Sequence, residues 1–186
     1  MDGIAGRRVV VGVSHSQSSL VPLRRAAAEA RGGGRELWAV LAWEPPGGGP
    51  GHRGLSCPPR LAEFRRSAGE RLLDALDAAF GSAGPGVPER PLTVRGSAGR
   101  VLVEVAARDD DLLVVGTGPR LWHRALWPSV SRYCPAHASC AVLAVPPSPR
   151  EKELGAVRRR ITWRLPLDAR ELAGPAPPGT GRESTS

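Results

Sequence analysis

The chain has 186 residues, 41% of them hydrophobic, and a formal net charge of +8. That is enough length and apolar content for one core-bearing domain with a modest appendage, and it excludes a chain too polar to build a core. No run of about 18 apolar residues is present, which excludes a helix that crosses a membrane. MDGIAGRR passes into a short strand rather than a signal-peptide apolar segment, so a cytoplasmic location is expected.

The basicity is almost all arginine, Lys152 being the single lysine, and it is scattered without a stripe that interleaves arginine and aromatic residues. Such charge reads as a solvated surface, and nucleic acid is not an expected partner. Cys57, Cys134 and Cys140 are odd in number and lack CxxC spacing, which argues against a disulfide framework and against a zinc site. Cys140, in an apolar run, is expected in the core, and Cys57, among Pro and Gly, is expected as an exposed thiol.

In chain order, RVVVGV (8–13) is a short apolar run rich in β-branched residues, the pattern of a strand covered on both faces. SHSQSS offers N-caps for LVPLRRAAAEARGGG, a helix that tolerates Pro22 in its first turn and ends at the glycines. ELWAVLAW (36–43) is a second buried strand, and the Pro/Gly-rich segment after it is a surface loop. From Arg60, the sequence places Leu61, Phe64, Ala68, Leu72, Ala75, Leu76 and Ala79 on one helical face.

RPLTVR (90–95) alternates and makes a third strand, set near an edge because Pro91 lacks a ladder donor. A helix capped by Ser97 follows, then a strand at 112–115, a helix at 129–138 and a last strand, CAVLAV, at 140–145. Strict alternation of strand and helix predicts a doubly wound α/β domain, a parallel five-stranded sheet with helices on both faces. Residues 1–147 are assigned to this domain. Residues 148–186, rich in Pro, Gly and Arg, are expected to form a mostly disordered tail, within which ITWRLPL could dock or collapse transiently.

In such sheets ligands bind beyond the carboxyl ends of the strands, where strand order reverses. The segment VVGTGPRLWHRALWPSVS lies there, with Gly116 and Gly118 followed by Ser129, Val130 and Ser131, whose amides are expected to converge on an anion at a helix N-terminus. Pro128 stands where a further amide would be useful.

These residues carry a resemblance. VVVGVSHSQ, LAWEPP, and VRGSAGRVLVEVAARDDDLLVVGTG leading to PSVSRYCPAHASCAVLAV are similar to the universal stress protein family over Arg7 to Pro146. The resemblance implies the strand order 3-2-1-4-5 of the adenine nucleotide alpha hydrolase-like fold. It also implies a homodimer through antiparallel pairing of the fifth strand, here Cys140 to Val145.

One branch of the family binds ATP through an acidic residue ending the first strand, backbone after the second, and a glycine loop ending in Gly-Ser/Thr. In this chain the acidic position is Ser14 and the backbone position is Ala42. Gly116 matches the first glycine, Gly118 matches the second after a one-residue deletion, Pro128 replaces the third, and Ser129 matches the phosphate-binding serine. Arg120, His123 and Arg124 either replace lost amides as phosphate partners or are solvated.

The missing carboxylate, the proline and the shortened loop give a first reading as a stress-family regulatory protein. In it, ATP binding is lost or weakened, and action is through dimerisation and protein contacts. The alternative is an ATP-binding stress-response protein using the Gly116 to Ser131 loop. A flavin enzyme is a further option, raised by Ser14, Ser16 and Ser19, whose commoner use is helix capping. A phosphoryl-accepting receiver is excluded because no aspartate ends a central strand. No enzyme activity and no catalytic residue are expected: Asp109 to Asp111 fall at the wrong end of the sheet, and His137 serves packing or capping. A reactive pairing of Cys134 with His137 is the alternative weighed for that helix.

Overall fold

The computed structural model describes residues 7–14, 20–45, 58–117 and 129–148, all within one unit ending at Ser148. The strands are β1 (Arg8–Gly12), β2 (Glu36–Trp43), β3 (Glu89–Arg95), β4 (Leu112–Gly116) and β5 (Ala141–Val145). Between them lie α1 (Leu20–Gly33), α2 (Pro58–Phe80), α3 (Ala98–Val105) and α4 (Val130–His137), with one 3-10 turn at Gly81–Ala83. The sheet is parallel throughout, in the order β3-β2-β1-β4-β5. This is the expected doubly wound fold.

Side-chain alternation along the central strands explains the two-layer cover. Val9, Val11, Leu37, Ala39 and Leu41 face α1 and α2, where Leu23, Ala26, Ala27, Ala30, Ala68 and Leu72 meet them. Val10, Val40, Leu113 and Val115 face α3 and α4, against Val101, Leu102, Ala106 and Cys134. Both faces of β1 and β4 are therefore buried, which is why these strands read as unbroken apolar runs. β3 lies at the edge, as Pro91 requires, since its missing N–H costs nothing where no further strand pairs.

Local chemistry sets the helix ends. Pro22 is the third residue of α1, where no N–H would find an intrahelical acceptor. Gly34 ends the helix at φ +59°, and the Arg35 and Gly34 amides donate to the carbonyls of Ala30 (2.9 Å) and Arg31 (3.5 Å), a Schellman closure that favours glycine. Gly99 permits close contact between α3 and α4: a Cβ there would sit 2.7 Å from Cδ1 of Tyr133.

Arg8, which opens the run taken as wholly apolar, is a buried cation paired with buried Asp111, the residue just before β4. Arg8 Nε donates to Asp111 Oδ1 at 2.9 Å, Nη2 donates to Oδ2 and to the Val105 carbonyl (3.3 Å), and the Arg108 N–H donates to Oδ2 at 3.1 Å. The guanidinium also lies 4.3 Å from the Trp38 ring centroid, with Arg90 5.0 Å from that centroid. The buried charges are thus paired and hydrogen-bonded, as burial demands.

Candidate functional site at the carboxyl edge of the sheet

β1 is the point of reversal: β2 continues on one side of it and β4 on the other. The exits of these strands bring Ser14, Ala42 and Gly116 to one edge of the sheet, the place where this fold class binds ligands. After Gly116 the chain is pinned to β5, with the Thr117 N–H donating to the Val145 carbonyl at 2.8 Å and Oγ1 donating at 3.3 Å.

Ala42 presents backbone rather than side chain. In β2, Glu36 N–H donates to Arg7 and Val40 O accepts from Val13 (2.8 Å), so even-numbered residues bond toward β1; Leu37 N–H donates to Pro88 and Trp43 O accepts from Gly96, so odd-numbered residues bond toward β3. Ala42 therefore aims its N–H and C=O toward β1, yet the β1 register ends at Gly12 opposite Val40. Among the described residues its N–H and C=O meet no backbone partner beyond the last rung, an edge that suits a planar group with a complementary donor and acceptor.

At the start of α4, Ser129 is extended (φ −62°, ψ 146°) and its carbonyl accepts from the amides of Arg132 (2.8 Å) and Tyr133 (2.9 Å), the arrangement of an N-cap residue. Its hydroxyl makes no cap bond and instead meets Ser131 Oγ at 3.2 Å. The amides of Val130 and Ser131 belong to the first turn, which has no intrahelical acceptor for them, and the helix dipole adds positive potential there. Two hydroxyls and two amides thus stand together at the head of a helix, where amides of this kind can meet an anion. Gly118 and Arg120, expected at the same site, lie outside the described residues, as do His123, Arg124 and Pro128.

The carboxylates lie at the opposite edge. Asp111 is consumed by Arg8, and Asp109 and Asp110 border an open cavity of about 720 Å³ at the amino ends of the strands together with Arg7, Glu29 and Arg35. Among the described residues no group of three or more His, Cys, Asp and Glu could hold a metal ion, and no helix is long and apolar enough to cross a membrane.

The Cys134 and His137 pairing does not form. His137 Nδ1 donates to the Tyr133 carbonyl at 2.9 Å and its ring stacks on Tyr133, with centroids 4.0 Å apart, which is the capping role expected of it. Cys134 is fully buried, and desolvation, followed by the neighbouring Cys140, raises its thiol pKa from 9.0 to about 11. The folded state thus holds this proton more tightly than the unfolded chain does. The contribution to stability is complete below pH 9.0 and is lost as pH rises toward about 11. At pH 8 the thiolate is scarce, so iodoacetamide is expected to leave Cys134 unmodified until denaturant is added; peptide mapping by mass spectrometry that found it alkylated in the folded protein would refute this.

Cys140 precedes β5 and is half-buried rather than fully in the core, with its thiol pKa also raised by burial and by the charge of Asp111. Cys57 lies outside the described residues.

The model of the family described as "Universal stress protein family" matches residues 6–146. The chain belongs to the universal stress protein family. Similar solved structures include a universal stress protein in complex with cAMP, at 28% identity over 77% of this chain and 99% of that one, with a TM-score of 0.50. The universal stress protein UspA from Lactobacillus plantarum is 19% identical over 77% and 99% of the two chains, with a TM-score of 0.55. A universal stress protein family member from Burkholderia pseudomallei is 23% identical over 77% and 98%, with a TM-score of 0.52. A comparison with curated proteins returns no match. As a universal stress protein the chain falls among regulatory proteins, with the nucleotide-type fold already described.

Proposed function

We propose that this universal stress protein binds an adenine nucleotide at the carboxyl edge of its sheet and acts as a ligand-sensing regulator rather than as an enzyme. The backbone edge of Ala42 takes the base, the exit of β1 at Ser14 borders the sugar, and Gly116 lets the chain pass close to the ligand. The amides and hydroxyls of Ser129, Val130 and Ser131 hold phosphate, with Gly118 and Arg120 assigned to the intervening loop. The observation that carries this reading is the head of α4, where Ser129 caps the helix through its carbonyl and leaves its hydroxyl beside that of Ser131. The similar universal stress protein solved with cAMP supports the ligand class.

Serine at position 14 and proline at position 128 favour a second reading, in which triphosphate binding is lost and partner contacts carry the function. The two readings share the assembly: a homodimer through β5, the edge strand from Ala141 to Val145, with Ala141 and Ala144 exposed.

Titration calorimetry with ATP, AMP and cAMP separates them. Saturable binding of any of the three is expected for the nucleotide-binding protein, and no heat with all three would establish the second reading. Hydrogen bonds to a charged group contribute about 1.5–3 kcal/mol each. Ser129→Ala with Ser131→Ala is therefore expected to weaken binding roughly tenfold or more while leaving the circular dichroism unchanged; an unaltered affinity would remove the phosphate from α4.

A further inference from the structure

At the outer corner of the sheet, where β2 and β3 end beside the first turns of α2, lies an open cavity of about 650 Å³. Its walls include Trp43, Leu61, Arg65, Arg66, Thr93 and Arg95. It lies on the opposite face of the sheet from the Ala42 side chain. Trp43 packs with the α1 and α2 layer while the Ala42 side chain packs with the α3 and α4 layer. Register places Thr93 and Arg95 beside Leu41 and Trp43, so these β3 side chains share the α2 face.

The charge of this wall is one-sided. Three arginines line it and, among the described residues, no carboxylate does. Arg24 and Arg31 are satisfied by carbonyls, Arg25 by Glu29 and Arg71 by Ser67. Arg65 and Arg95 have no such partner among the described residues, and Arg66 reaches its nearest carboxylate, Glu70, only at 3.9 Å. Trp43 and Leu61 supply the large apolar side chains of its lining. Guanidinium groups suit phosphate oxygens through paired N–H donors, and an indole suits a planar ring. The volume falls within the ordinary range of small-molecule sites.

We propose that this corner is a second ligand site, selective for a small phosphate monoester carried on an aromatic ring. The ring lies on Trp43 and Leu61, and the phosphate is held by Arg65 and Arg95, with Arg66 adding positive potential. This assignment does not rest on nucleotide binding at α4.

The test is a titration of the full-length, nitrogen-15-labelled protein with phenyl phosphate, inorganic phosphate and phenol, following the Trp43 indole N–H assigned through Trp43→Phe. Saturable movement is expected with phenyl phosphate, at about fivefold or better affinity than with either fragment, because only the whole ligand engages both the apolar side chains and the cations. Arg65→Gln with Arg95→Gln is expected to weaken that binding at least about fivefold, and Arg71→Gln, on the same helix outside the cavity, to leave it unchanged.

No saturable shift at Trp43, equal affinity for phosphate alone, or an unaltered response in the double variant would each overturn the proposal. So would movement confined to the amides of residues 129–131, which would place the anion at α4 instead. The comparison of the three probes is made on the unaltered chain, so the result stands even if the double variant folds poorly.

Discussion

Asp111→Ala is expected to destabilise the fold by about 3–5 kcal/mol, because it removes one half of a buried ion pair and leaves the other half charged and unpaired. Arg8 and Asp111 are both buried, and the carboxylate also accepts the Arg108 amide that closes the turn into β4. Against an ordinary total stability of about 5–15 kcal/mol, the loss is a large fraction, visible as a lower urea midpoint at unchanged slope. The pair itself adds little over a good apolar substitute. Arg8→Met with Asp111→Leu is therefore expected to retain most of the stability that the single change loses. A urea midpoint for Asp111→Ala within experimental error of the parent chain would show that water already reaches the site and that the charges are not truly desolvated.

Leu113→Ala is the second large effect, about 2–5 kcal/mol, the cost of lost transfer free energy plus an unfilled cavity. Leu113 is fully buried in β4, opposite Val10 of β1 and Val142 of β5, and it belongs to the cluster that includes Cys134 of α4. The cavity would open between the sheet and the helix whose first turn carries Ser129 and Ser131. Nucleotide affinity is accordingly expected to fall in this variant even though Leu113 touches no ligand. Leu113→Met, which roughly conserves volume, is the control and should cost under about 1.5 kcal/mol. A loss below that value for the alanine variant would mean that α4 settles into the space, which hydrogen exchange at the helix amides would then reveal.

Much of the architecture was legible because buried parallel strands need apolar, β-branched runs on both faces, and RVVVG, ELWAVLAW and LLVVG satisfy that need locally. Pro91 marked the edge strand through one missing donor, and the stripe through Leu61, Ala68, Leu72 and Leu76 marked the buried face of α2. The Arg8–Asp111 pair was missed because its halves are 103 residues apart. A signal for it existed: opposite charges stand at the amino ends of two apolar runs, Arg8 on β1 and Asp111 before β4, and those strands are neighbours in the order 3-2-1-4-5. The preference for His137 as a capping residue over a reactive pairing with Cys134 agrees with the structure, since residues three apart on a helix can be turned to different surroundings: Cys134 is sealed under α3, and His137 is exposed and held by Tyr133.

The site divides in the same way. That a helix begins after Ser129 with hydroxyls in its first turn follows from residue types alone, because capping is a property of a few consecutive residues. That Ala42 lies past the last β1 rung, with no backbone partner among the described residues, could be found only in the folded sheet, since it depends on where β1 stops pairing with β2. Arg65 and Arg95 line one cavity with Trp43 for a similar reason: one stands on a helix and the other on an edge strand, and only packing of α2 on β2 and β3 brings them together. Short-range chemistry wrote the order and character of the elements. Which charges, amides and rings became neighbours was decided by strand order and register, to which residues distant along the chain contribute jointly and which no local segment encodes.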